Sequence, residues 1–215
     1  MSQNKQLALP GATVTPLTEL LEKRRSTRTF AEAGIQMTEL AHLLRAAVGL
    51  RTDRGSVVPS AHSLSLLSVG IVAGGVENLR PGSYVYLPGT DALVCETVGD
   101  HRNEVASATL VDQNWSARAS VFLLITAQVE TLNDHFAEQP PLGRRGERYA
   151  LLEAGHISQN TYLAAAELGL GAVLIAGFRD EELSLLSATL FPSLPPDSQV
   201  LGIIALGRAV KNPGS

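Results

Sequence analysis

An α+β fold is what this chain predicts, and three observations carry the prediction. Apolar runs of strand length alternate with segments of helical periodicity, but not in strict β-α-β order. A hairpin signal sits mid-chain, where Pro81-Gly82 leads into two short strand-like runs. The turn Gly169-Leu170-Gly171 follows a helix and precedes a strand, the reverse of a doubly wound dinucleotide fold, and reads as a helix C-cap. The 215 residues are 45% hydrophobic, enough for one sizeable core. A single domain over 15–210 is therefore expected, with a flexible arm at 1–14 and a tail at 211–215.

The elements follow in order. Thr15-Pro16 reads as an N-cap with proline in the first turn, and Leu17, Leu20 and Leu21 carry a helix to about Lys23 or Arg24. A second helix starts near Thr38, lines up Leu40, Leu43, Leu44 and Ala47, and ends at Gly49. Residues 51–63 are loop by content. Strands are expected at 69–72, 84–87 and 93–97, the last two forming the hairpin, with Cys95 half-buried. Residues 101–110 read as helix and 120–126 as the clearest buried strand. The stretch 138–147, rich in Pro, Gly and Arg, reads as a mobile loop. The longest helix is expected over 148–168, where Leu151, Leu152, Ile157, Leu163 and Ala166 suggest burial on more than one face. A strand through 173–175, a helix over 180–190 and a strand over 200–206 complete the series.

Composition excludes several classes. A net charge of -4 and a pI near 5.7 argue against nucleic-acid and anionic-membrane binding. One cysteine rules out a disulfide framework and a thiolate zinc site, so a cytoplasmic location is expected. No signal peptide is visible, and the apolar runs at 121–127 and 201–206 are too short to span a membrane. The five histidines show no metal-ligand spacing, and no Gly-x-Ser-x-Gly turn exists. Glu153 and His156 sit three apart on the long helix, as a catalytic pair or as a helix pair satisfied in the core or on the surface.

Against this acidic background, Arg24-Arg25-Ser26-Thr27-Arg28 places three guanidiniums and two hydroxyls within five residues, followed by Phe30. Arg forks and hydroxyls suit a bound phosphate. A solvated helix end offsetting the C-terminal dipole is the other reading. The chain has enzyme-like bulk with few acid, base or nucleophile candidates, which fits reactivity borrowed from an organic cofactor. A phosphate-bearing cofactor would occupy the arginine cluster.

Four segments together resemble one family. Arg24-Arg25-Ser26-Thr27-Arg28-Thr29-Phe30 is similar to the flavin-phosphate motif of nitroreductase-like FMN oxidoreductases, and Pro59-Ser60-Ala61-His62 resembles their flavin-ring loop. Leu152-Glu153-Ala154-Gly155-His156, then Gln159-Asn160, Ala164-Ala165, the run Leu168-Gly169-Leu170-Gly171 and Gly177-Phe178 resemble their long helix and the strand reaching flavin N5. Leu206-Gly207-Arg208 is similar to their closing strand. The resemblance covers about residues 17–208. With Arg148-Tyr149 ahead of it, the Leu-Glu-Ala-Gly-His form is most similar to the SagB-type dehydrogenase branch, which includes oxidases of thiazolines and oxazolines in peptide natural products.

The resemblance implies a mixed, mostly antiparallel sheet flanked by helices, in an intertwined homodimer with FMN at the interface. Arg24, Arg25, Ser26, Arg28 and Arg208 would hold the phosphate and ribityl chain. Pro59, Ser60, Ala61 and Ser63 would reach the flavin from the other subunit, and Ala176 and Gly177 would place backbone N–H groups at N5 and O4. The implied reaction is oxidation of a peptide or heterocyclic biosynthetic intermediate by hydride transfer to N5, with other biosynthetic enzymes as partners. Alternatives are NAD(P)H-dependent reduction of nitro compounds or quinones, and a flavin-fold scaffold subunit. One departure stands out: azoline-oxidising relatives often carry Lys-Tyr before a Gly where this chain has Pro141-Leu142-Gly143. Tyr149, Arg148 and His62 are then the candidates for moving a substrate proton.

Overall fold

The computed structural model describes residues 6–11, 13–111, 113–140 and 143–210. Six strands form one sheet: β1 (Leu67–Ala73), β2 (Gly82–Leu87), β3 (Ala92–Val98), β4 (Val121–Gln128), β5 (Gly171–Ile175) and β6 (Ser198–Gly207). Their order is β3-β2-β1-β4-β6-β5, and every pairing between these strands is antiparallel. Isolated parallel bridges, Ser26 to Ala172 and Ile35 to Val76, make the whole arrangement mixed.

Side-chain alternation along the central strands splits the core between two faces. Val121, Leu123 and Ile125 of β4 and Ile204 and Leu206 of β6 face one cluster, while Phe122, Leu124, Ile203 and Ala205 face the other. Burying a side chain such as Phe122 contributes about 1.5–3 kcal/mol. The first face is covered by α2 (Met37–Val48), through Leu40, Leu43, Leu44 and Ala47, and by α6 (Arg145–Glu167). The second is covered by α3 (Arg102–Ala108) and α7 (Asp180–Leu190). The first helix, α1 (Pro16–Lys23), has the expected cap: Thr15 Oγ1 accepts from Thr18 N, and Pro16 opens the helix.

Several expectations need correction. Residues 138–147 are not all loop, because α6 begins at Arg145, and a helix α5 (Val129–His135) was not foreseen. Nor was the four-residue α4 (Gln113–Ser116). Gly146, which fell inside the expected 138–147 loop, is instead the crossing point of α5 and α6. A Cβ there would lie 2.2 Å from the Leu132 carbonyl carbon. On α6 the buried face is made of small and polar residues, including Ala150, Glu153, Ala154, Ser158 and Thr161, with Ile157. Leu151 and Leu152 are more than half exposed, contrary to their expected burial. Cys95 is exposed, because β3 is an edge strand. Pro141 and Leu142 lie outside the described residues. Among the described residues, no helix is long and apolar enough to cross a membrane.

Candidate active site

The arginine segment forms a strap on the sheet edge. After α1, Arg24 turns the chain out of the helix with ψ 124°. Thr27 N then donates to Ala172 O at 2.9 Å, and Ala31 N donates to Arg208 O at 2.8 Å. Phe30 bridges Ala209. Such close seating requires glycine at the start of β5, since a Cβ on Gly171 would lie 2.6 Å from Thr27 Cγ2.

The strap's side chains are held unevenly. Arg24 lies over the Tyr162 ring, 5.4 Å from its centroid. Ser26 Oγ is 3.2 Å from Tyr162 Oη, which also accepts from Leu174 N at 2.8 Å. Arg25 donates to the carbonyls of Glu22 and Arg24. Arg28 is exposed and makes no hydrogen bond or ion pair with the described residues. Arg208, at the end of β6, gives Nη2 to Glu39 Oε2 at 2.8 Å and Nε to Gly34 O at 3.3 Å. The strap's donors suit an anion, with Arg28 unpartnered among the described residues and Arg208 partly neutralised by Glu39.

The second region is the loop before β1. Pro59 is exposed, Ser60 and Ala61 are half-buried, and Ala61–Ser63 form one 3-10 turn. His62, Ser63 and Ser65 have φ of 52°, 58° and 51°, the left-handed region that non-glycine residues rarely adopt. Side chains hold this shape: Ala61 N donates to Glu153 Oε1 at 2.7 Å, and Ser65 N donates to Ser60 Oγ at 2.9 Å. His62 Nδ1 shares a hydrogen bond with His135 Nε2 at 3.1 Å. The His62 ring lies 4.9 Å from Phe136, and Phe136 lies 4.6 Å from Tyr149. The structure thus joins His62 and Tyr149 through one aromatic cluster. Arg148 is exposed beside them in sequence and lines a surface groove with Leu151 and Leu152.

Ala176 and Gly177 leave the end of β5, one exposed and one half-buried. Gly177 O accepts from Leu110 N at 2.9 Å. The strap and β5 meet at Tyr162, whereas the loop is anchored at Glu153. These two residues are nine apart on α6, about 13 Å at 1.5 Å per residue. Within the chain the two regions are held by different parts of the same helix.

Behind the loop, Tyr86 Oη donates to Asp91 Oδ1 at 2.6 Å, and Arg45 pairs with the same carboxylate at 2.7 Å. Burial, reinforced by the Asp91 charge, pushes the Tyr86 phenol up to about 12. The Arg45 guanidinium and the Tyr86 hydroxyl hold Asp91 below the usual carboxylate range. Sequence reasoning missed Tyr162, Glu39, His135 and Phe136. It saw Glu153 but not its partner. The available signal was Glu153 sharing a helical face with Ile157 and Thr161, all buried. Among the described residues, no group of three or more His, Cys, Asp or Glu is arranged to hold a metal.

A strap on the sheet edge in which Arg28 is unpartnered among the described residues, an ordered serine-rich loop and an antiparallel core offer donors that suit the phosphate tail of an organic cofactor. The model of the nitroreductase family matches residues 21–208. A Methanocaldococcus jannaschii protein with a provisional nitroreductase name is 34% identical over 184 residues, spanning 85% of this chain and 89% of that one. A Ralstonia eutropha nitroreductase-type structure aligns with TM-score 0.72 at 26% identity, over 96% of this chain and 89% of its own. The E. coli microcin synthetase McbBCD complex with truncated pro-MccB17 aligns with TM-score 0.70 at 20% identity, over 97% and 80%. A nitroreductase-type structure from Desulfovibrio desulfuricans, in complex with FMN, aligns with TM-score 0.60 at 19% identity, over 94% and 91%. At those last two identities the likeness concerns the fold. The chain belongs to the nitroreductase family and is an oxidoreductase.

Proposed function

We propose that the protein is an FMN-dependent dehydrogenase of SagB type, a homodimer that oxidises a peptide or heterocyclic biosynthetic intermediate. The observation that carries the FMN assignment is the strap, where Arg28 lacks any partner among the described residues while Arg24 and Ser26, earlier on the same segment, gather at Tyr162. FMN, when bound, supplies a hydride acceptor at ring N5. Arg24, Arg25, Ser26, Arg28 and Arg208 hold its phosphate and ribityl chain. Backbone donors at Ala176 and Gly177 orient the ring edge. Pro59, Ser60, Ala61 and Ser63 cover the ring from the second protomer.

The dimer is supported by the separation of strap and loop along α6 and by the exposed Leu17, Leu21, Leu151 and Leu152. His62 takes the substrate proton. Its Nδ1 shares a hydrogen bond with His135 Nε2, and in the tautomer with the proton on Nδ1 the other ring nitrogen, Nε2, is the base. Tyr149 and Arg148 sit at the start of the same long helix and orient the substrate. The SagB assignment draws on the Leu-Glu-Ala-Gly-His motif, whose Glu153 holds the ring loop, and on the fold shared with a microcin synthetase complex. That likeness also motivates biosynthetic enzymes as partners.

A second reading, NAD(P)H-dependent nitro or quinone reduction, is favoured by the name of the M. jannaschii relative. The anaerobic visible spectrum, recorded before and after NADPH, separates the two. A flavin band that persists with NADPH supports the dehydrogenase. Rapid bleaching moves the assignment to the reductase. Purification without flavin, and no uptake of added FMN, would overturn both in favour of a scaffold subunit.

A further inference from the structure

A cavity of about 220 Å³ lies behind the 59–65 loop, and none of its lining belongs to the arginine strap. Its walls come from the end of α2, the loop, the start of β1, β2 and α6. Val48, Val58 and Ile157 supply apolar surface, Ser60 and Ser65 supply hydroxyl-bearing residues, and Glu153 is the one charged residue in the lining. Glu153 is only 5% exposed. Oε1 accepts from Ala61 N, and this is the single hydrogen bond Glu153 makes with the described residues. No Lys, Arg or His lines the cavity.

A carboxylate is costly to bury unless donors satisfy both of its oxygens. Here Oε2 takes no hydrogen bond from the described residues. An apolar wall with one open carboxylate oxygen and nearby serines favours a cation on an aliphatic body. The same carboxylate repels anions, whose place on this chain is the strap. The volume accommodates about seven groups the size of a water molecule.

We infer that this cavity binds a primary ammonium group on a short aliphatic chain, with N–H donors directed at Glu153 Oε2 and the serine hydroxyls. Its place in catalysis rests on the flavin reading above. Ser60 belongs to both the cavity wall and the ring loop, and Ala61 is held by the same carboxylate. The substrate is then a molecule with an aminoalkyl arm, anchored here while its reacting carbon faces the ring.

The test is a titration of the isotopically labelled full-length protein, as purified, with n-butylammonium chloride, following the Ala61 and Ser65 amide resonances. Butyrate and n-butanol serve as anionic and neutral controls. The expected result is saturable shifts with n-butylammonium, weaker ones with n-butanol and none with butyrate. Glu153→Gln retains an acceptor for Ala61 N but not the charge, and should weaken binding about tenfold or more. Val48→Phe narrows the cavity from another wall without touching Glu153 and should weaken it similarly. Butyrate or n-butanol binding as well as the ammonium, or Glu153→Gln binding like wild type, would overturn the site. If Glu153→Gln fails to fold, unchanged affinity in Val48→Phe overturns it instead. Flavin content is read from the visible spectrum of the same sample. Ammonium binding without flavin uptake sinks the cofactor assignment alone, and flavin uptake without ammonium binding sinks this site alone.

Discussion

The strap at 24–31 and the loop at 59–65 are both irregular segments rich in polar side chains, yet they are held in opposite ways. Backbone bonds to Ala172 and Arg208 seat the strap, leaving Arg28 without a partner among the described residues. The loop turns on its own backbone bond from Ser63 N to Ser60 O but is positioned by single side chains, Glu153, Ser60 and His135, and contains three left-handed non-glycine residues. Where the backbone sets position, side chains are free to bind and substitutions change affinity. Where side chains set position, substitutions change shape.

The largest expected effect breaks the strap's backbone seat. Gly171→Val drives a branched side chain into Thr27, whose Cγ2 and Cβ lie 2.6 and 2.8 Å from the first added carbon. Overpacking of this kind costs about 1–3 kcal/mol, and FMN retention should fall with it. An unchanged melting temperature together with normal flavin content would show that the strap is not seated on β5. Arg28→Ala probes the other half of the contrast. It should weaken FMN binding by about 1.5–3 kcal/mol, the worth of a charge-assisted hydrogen bond, and leave thermal stability alone. Equal FMN affinity in flavin titrations would remove Arg28 from the phosphate site.

On the loop, Ser60→Ala removes the acceptor for Ser65 N and should cost about 1 kcal/mol. The signature of a side-chain-held segment is faster amide exchange confined to the loop, with β1 still protected. Protection unchanged across 59–65 would mean that the loop holds itself. Gly177→Val should cost less still, because a Cβ there meets only Leu110 Cδ1 at 3.7 Å. Its effect is expected in the flavin potential rather than in folding, and an unaltered potential would displace Ala176 and Gly177 from the ring edge.

The same contrast governs what could be read from the sequence. The arginine cluster was legible because its charges are contiguous, and α1, α2, the hairpin and β4 were legible because caps and periods are local signals. What seats or anchors the site is long-range. Glu153 meets Ala61 across 92 positions, and Arg208 meets Glu39 across 169. The start of α6 was missed because Gly146 looks like a loop residue until Leu132 of α5 is placed against it. Leu151 and Leu152 read as core because sequence periodicity does not distinguish a buried face from an exposed apolar one.

The effect expected at the cavity wall beside the loop depends on pH. Tyr86 is buried and donates to Asp91, which lifts its phenol from 10.0 to about 12. The folded chain therefore keeps a proton that the unfolded chain releases near pH 10. The stabilisation this gives is complete below pH 10 and is lost as pH rises through about 12. Tyr86→Phe has no such proton, so its stability should fall less steeply across that window, at a cost of about 1 kcal/mol near neutrality for the lost hydrogen bond. Urea denaturation of both proteins at about pH 8 and about pH 11 measures the difference in slope. Equal slopes would mean that Tyr86 ionises as freely in the folded protein as in the unfolded chain, and the wall behind the loop would then be more open to water than its burial indicates.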